Sequence, residues 1–116
     1  MNLLKYLYKI RKVNIVFKNQ MLADLYDGKR INNKQFRSNP VLIKKYQIVL
    51  LLIKSIEKVS QINTYPGFHY EKLKGNLAMY SSIRLNKKYR LIFREVYSRV
   101  DFVDTLEIIE ISNHYS

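Results

Sequence analysis

HYEKLKGNLAMYSSIRLNKKYRLIFR, residues 69–94, carries seven cations (Lys72, Lys74, Arg84, Lys87, Lys88, Arg90 and Arg94) against one acid, Glu71. Its second half alternates. In an extended chain Ile83, Leu85, Tyr89, Leu91 and Phe93 point to one side and Arg84, Arg90 and Arg94 to the other, because strand side chains have a period of two. Asn86, Lys87 and Lys88 separate the two strands as a three-residue hairpin loop. In that register Arg84 and Arg90 face each other across the ladder, where like charges cost roughly 0.2–1 kcal/mol. A strand pair with one apolar face and one solvent-facing arginine face suits a polyanion, because phosphate offsets that repulsion. The structural alternatives are that both arginines reach into solvent or pair with Glu107 or Glu110. A one-residue slip would part them.

The chain has 116 residues and no cysteine, which fits one domain without disulfides or thiolate chemistry. Hydrophobic content of 47% argues against disorder, and a net charge of +12 points to nucleic acid, an acidic protein or anionic lipid. From Glu95 to Glu110 five acids face one base, Arg99, leaving twenty of the 21 Lys and Arg elsewhere. The longest apolar run, Ile48–Ile53, is far shorter than the ~20 residues of a membrane span. No membrane association is expected, and the predicted location is the cytoplasm. Residues 1–12, MNLLKYLYKIRK, form a basic N-terminal extension. They read either as an amphipathic helix with Leu3, Leu7 and Ile10 on one side or as a loosely ordered tail. Lys5, Lys9 and the tyrosines interrupt any signal-peptide core.

Val13–Lys18 is β-branched and predicts a first strand. Asn19 can cap a short helix that buries Met21, Leu22 and Leu25 and stops at Gly28. Ser38-Asn39-Pro40 starts a longer helix, with Ser38 or Asn39 as cap and proline in the first turn. Leu42, Tyr46, Val49, Ile53 and Ile56 give it an apolar stripe. Leu50, Leu51 and Leu52 widen that stripe and predict contact on more than one side; a partner-binding groove is the sharper reading, and simple burial of all three is the expected one. Tyr65-Pro66-Gly67 predicts a turn, Phe68–Leu73 a strand, Gly75-Asn76 a turn, and Tyr80–Leu85 and Tyr89–Val96 the hairpin. Residues 98–104 form a loop and Thr105–Ile111 a last strand. Helices followed by antiparallel strands define an α+β class with one sheet.

RNA cleavage by its own 2′-hydroxyl needs a base, charge on the crowded phosphate, and an acid for the leaving oxygen. Arginine and lysine supply the charge. His69 and His114 are the two histidines, and His114 sits in Asn113-His114-Tyr115 at a strand end. No metal-ligand spacing, phosphate-cradling glycine loop or serine-nucleophile motif is present, so no metal or cofactor is expected.

Leu73-Lys74-Gly75, then Tyr80-Ser81-Ser82-Ile83-Arg84-Leu85-Asn86-Lys87-Lys88-Tyr89-Arg90-Leu91-Ile92-Phe93, then the acidic strand closing at Asn113-His114-Tyr115, resemble the HigB-type (plasmid-maintenance killer) branch of the RelE/ParE toxin superfamily. The resemblance covers residues 13–116 as a single toxin domain. It implies N-terminal helices packed on one curved, mainly antiparallel sheet, and a ribosome-dependent mRNA endonuclease that needs no metal. It also implies a HigA-like helix-turn-helix antitoxin as partner, with the free toxin a monomer. By position, Lys74, Arg84, Arg90, His114 and Tyr115 fall where the family keeps its active-site residues. Lys72, Lys87, Lys88 and Arg94 are expected to bind RNA, and Asn86 to form the turn. The histidine that many members carry three residues before the motif lysine is Glu71 here, and Ser81-Ser82 lengthens the motif by one residue. ParE-like poisoning of DNA gyrase and non-catalytic RNA binding are the rival functions; ParE-type members lack the basic and proton-transfer cluster.

Overall fold

Three asparagines start the three α-helices of the described residues. Asn19, Asn33 and Asn39 each accept, through Oδ1, the backbone N–H three residues on (Leu22 at 3.0 Å, Phe36 at 3.1 Å, Leu42 at 3.3 Å). Each bond satisfies an N–H that the first helical turn leaves without a partner. The helices are α1 (Gln20–Asp27), α2 (Lys34–Arg37) and α3 (Pro40–Ser55). Gly28 ends α1 in the left-handed region at φ 75, where a side chain would be strained. Ser38 does not cap α3; its hydroxyl donates to the carbonyl of Gln35 instead. α2 has a single buried residue, Phe36, and so carries no periodic signal by which its sequence could announce it.

This computed structural model describes residues 13–97 and 104–114. The N-terminal extension 1–12, the loop expected at 98–104 (but for Asp104) and Tyr115 lie outside the described residues. Five strands, β1 (Asn14–Phe17), β2 (Glu71–Lys72), β3 (Ser81–Arg84), β4 (Arg90–Tyr97) and β5 (Asp104–Ser112), form one sheet in the order β1-β5-β4-β3-β2. β1 runs parallel to β5 and the remaining neighbours are antiparallel. The α+β architecture with one mainly antiparallel sheet is therefore the one expected. Among the described residues no helix is long and apolar enough to cross a membrane.

The core lies between the helices and one face of the sheet. Leu22, Leu25, Leu42, Tyr46, Val49, Leu50 and Ile53 join Ile83, Leu91, Phe93, Leu106 and Ile108 in a single buried cluster. Tyr46 is fully buried and donates its hydroxyl to the carbonyl of Leu22 at 2.8 Å, tying α3 to α1. Burial, reinforced by Asp27, raises the Tyr46 phenol far above the ordinary tyrosine value, so it remains a donor.

Two expectations need correction. The strand predicted over Phe68–Leu73 shrinks to Glu71–Lys72, because Pro66-Gly67-Phe68 coils into a 3-10 turn. Phe68 is buried there and stacks on Tyr65 at 5.4 Å, so its apolar side chain is satisfied without a ladder. The three leucines also divide. Leu50 is buried, whereas Leu51 and Leu52 stay 59% and 37% exposed, since only Leu50 borders the core-facing arc of α3. Ile53→Ala should therefore cost about 2–5 kcal/mol in urea denaturation, through transfer and cavity terms. Leu51→Ala should stay within about 0.5 kcal/mol of the parent.

Candidate active site

The hairpin between β3 and β4 fixes the register on which the site depends. Asn86 Oδ1 accepts the backbone N–H groups of Lys88 at 2.9 Å and Tyr89 at 2.7 Å, a side chain mimicking a backbone turn. Leu85 N–H donates to the Tyr89 carbonyl at 3.0 Å and closes the three-residue loop. From there the pairs run Arg84 with Arg90, Ile83 with Leu91, Ser82 with Ile92 and Ser81 with Phe93. The two arginines thus oppose each other directly, as the alternation predicted, and the slipped register is not adopted.

Their environments differ, and here the sequence reading needs correction. Arg84 is exposed, but Arg90 is buried, with 6% of its surface accessible. Nor does it pair with the acidic last strand. Its Nε donates to Ser82 Oγ at 2.9 Å and its Nη2 to the backbone carbonyl of His69 at 2.7 Å. Burial pushes the Arg90 guanidinium below the ordinary arginine value, the nearby Glu71 carboxylate opposes that shift, and Arg84 adds to it. Guanidinium remains charged under such perturbation, and two of its five N–H donors are committed to these bonds.

His69 reaches Arg90 through an unusual backbone. At φ 45, ψ 53 it is left-handed, and it is the one non-glycine residue with positive φ among the described residues. A residue held there carries strain of order 1–3 kcal/mol. Its N–H closes the turn on the Pro66 carbonyl while its own carbonyl accepts from Arg90. What the sequence offered as a titrating imidazole therefore acts first through its main chain.

The same sheet face collects further groups. Glu71 on β2 pairs with Ser82, and Ser112 on β5 pairs with Arg90, so Arg84, Arg90 and Ser112 form one row across three strands. Ser112 Oγ accepts the backbone N–H of His114 at 3.1 Å, placing that exposed histidine just past the end of the row. Glu71, Ser82 and Ser112 were not singled out as site residues from the sequence. Glu71 shares the parity of the arginine face once β2 is paired, but a two-residue strand gives no periodicity from which to read it.

Other candidates lie apart. Lys72 pairs with Ser81, on the sheet face away from Arg84. Lys74 follows Leu73, whose N–H donates to the Tyr80 carbonyl just before β3, at the end of that strand away from Arg84. Lys87 and Lys88 are exposed at the hairpin tip, where Lys88 Nζ lies 5.9 Å from the Tyr89 ring centroid. β5 carries a bulge opposite Ile92 and Phe93, and beyond it Arg94 Nε binds Glu107 Oε1 at 2.9 Å. That pairing neutralises Arg94 locally.

The sequence profile described as "RelE-like toxin of type II toxin-antitoxin system HigB" matches residues 15–113. Toxin HigB-1 of Vibrio cholerae serotype O1 is 36% identical over 81 residues, covering 69% of this chain and 81% of the relative. A YoeB/ParE toxin from Agrobacterium tumefaciens has the same fold, with a TM-score of 0.52 and 23% identity over 88% of this chain and 99% of that one. The YoeB dimer from Staphylococcus aureus aligns at 28% identity and a TM-score of 0.48, over 90% of this chain and 99% of that chain. The protein belongs to the RelE-like HigB toxins of type II toxin–antitoxin systems. Its function is that of an mRNA interferase, an endoribonuclease whose partner is an antitoxin.

Because Asn86 holds the turn that sets the arginine register, Asn86→Ala should lower stability by about 1 kcal/mol. A shift of the denaturation midpoint at unchanged slope would measure it.

Proposed function

We propose that this toxin cuts messenger RNA bound to the ribosome, by metal-independent attack of the RNA's own 2′-hydroxyl. The observation that carries the reading is the row of Arg84, Arg90 and Ser112, with Glu71 beside Ser82 on the same face and His114 tied to Ser112. In the reaction the 2′-oxygen attacks the adjacent phosphorus and the bond to the 5′-oxygen breaks, leaving a 2′,3′-cyclic phosphate and a 5′-hydroxyl. Negative charge grows on the phosphate oxygens as this happens.

Arg90 suits that charge because it is held in place before substrate arrives, and a donor that needs no reorganisation stabilises a transition state best. Exposed Arg84 adds a second, more mobile cation from across the ladder. Glu71 takes the 2′-hydroxyl proton, and His114 or Tyr115 delivers one to the leaving 5′-oxygen. Lys74 holds the RNA backbone away from the scissile phosphate, and Lys87 and Lys88 attract it at the hairpin tip. Lys72 and Arg94 contribute less, one lying on the far face and the other paired with Glu107. The net charge of +12 steers the protein to RNA generally. A HigA-like helix-turn-helix antitoxin restrains it, the free toxin is a monomer, and its site of action is the cytoplasm, where the ribosomes are.

Arg90→Ala and Arg84→Ala should each restore growth to cells expressing the toxin alone. Removing one such donor costs about 10²–10³ in rate. Arg90→Lys should be nearly as damaged, since lysine cannot bind Ser82 and the His69 carbonyl together. Glu71→Gln should lose about 10²–10⁴ in cleavage of ribosome-bound message. Mapping of 5′ ends after brief induction, with translation stopping before DNA replication, is the expected result. Full toxicity in both arginine variants would defeat the assignment.

A further inference from the structure

Four of the seven large hydrophobic residues exposed among the described residues lie on one helix: Val41 (78%), Ile48 (51%), Leu51 (59%) and Leu52 (37%), all on α3. At 100° per residue they fall within an arc of roughly 100°, opposite the buried Leu42, Val49 and Ile53. Single exposed apolar residues are ordinary, but a continuous stripe of this kind marks an interaction surface. Beside Leu51 a cleft of about 350 Å³ opens, lined also by Tyr26, Asp27, Gly28 and Gln47. Exposed Lys45 and Lys54 flank the stripe, exposed Lys44 rises within it between Ile48 and Leu51, and α3 contains no acid.

We propose that this face of α3 docks an acidic amphipathic helix of a partner protein, its apolar side chains on the stripe and its carboxylates on the flanking lysines. The alternatives fit the charge poorly. The N-terminal segment 1–12 brings Lys5, Lys9, Arg11 and Lys12 and no acid, and a second copy brings the same lysines face to face. Like charges at such a rim repel, whereas opposite charges steer encounter and fix register. Spacings of three, four and seven residues match the recognition of one helix by the face of another. In a toxin–antitoxin pair, the antitoxin is the protein available to carry that helix. The surface is built on the side of α3 away from the sheet, so the docking does not depend on the chemistry proposed for the arginine row.

Two synthetic helical peptides test this, sharing a leucine stripe but flanked by glutamate in one and lysine in the other, titrated into the full-length toxin by fluorescence anisotropy. The glutamate peptide should bind saturably, at least about tenfold tighter than the lysine peptide. Ile48→Glu combined with Leu51→Glu should weaken it about tenfold or more. Lys44→Glu combined with Lys45→Glu should reverse the preference between peptides. All these positions are exposed, so the variants should keep the parent melting temperature and RNA cleavage, which separates this surface from the nuclease reading. Equal binding of both peptides, or undiminished binding by the Ile48/Leu51 variant, overturns the proposal. So does tighter glutamate-peptide binding after deletion of residues 2–12, which assigns the face to the toxin's own segment. Concentration-dependent dimerisation abolished by the Ile48/Leu51 variant assigns it to a second copy and overturns it equally.

Discussion

The buried guanidinium of Arg90 is the constraint around which the rest of this molecule is arranged. Taking a cation out of water costs several kcal/mol unless its donors are met. Here two of them are met by a hydroxyl on the neighbouring strand and a main-chain carbonyl, rather than by a bonded carboxylate. Ser82 must then be a small hydroxyl residue on the strand beside it, and His69 must accept a left-handed backbone to present its carbonyl. Glu71 acts on Arg90 from a distance without an ion pair that would consume its charge. A guanidinium fixed by neutral partners keeps its positive field for a phosphate. One locked onto Glu110 would not.

Charge is distributed to the same end. Five acids between Glu95 and Glu110 compensate part of the basic surface, yet the ion pair that forms within the sheet involves Arg94 and Glu107, beyond the β5 bulge. On the opposite face of the sheet, Glu95 is occupied by the Tyr70 hydroxyl at 2.9 Å and by Ser81 at 3.4 Å. Burial first, and Glu95 after it, raises the Tyr70 phenol above its ordinary value, against the Ser81 hydrogen bond, so it stays a donor to that carboxylate. In the structure described, neither acid binds the Arg84–Arg90 row.

The helices show where local reading succeeds. Asn19, Gly28, Asn39 and Pro40 each act within three or four residues of their own position, and each has the role its chemistry dictates. Reading fails where the deciding partner is remote. Phe68 satisfies its burial in a coil, so the strand expected around it never extends. Leu50, Leu51 and Leu52 are consecutive and chemically identical, yet only one faces the core; what separates them is the angle at which α3 lies on α1 and the sheet.

By itself the sequence determined the α+β class and the turn at Asn86, and narrowed the hairpin to two registers; the structure selected the one that sets Arg84 opposite Arg90. Family membership was legible in the same residues. Only the tertiary structure decided that one arginine is exposed and its partner sunk, that Glu71 shares their face, and that Lys72 does not. Those outcomes rest on bonds joining residues far apart in the chain, such as Arg90 to His69, and no local periodicity encodes a contact of that range.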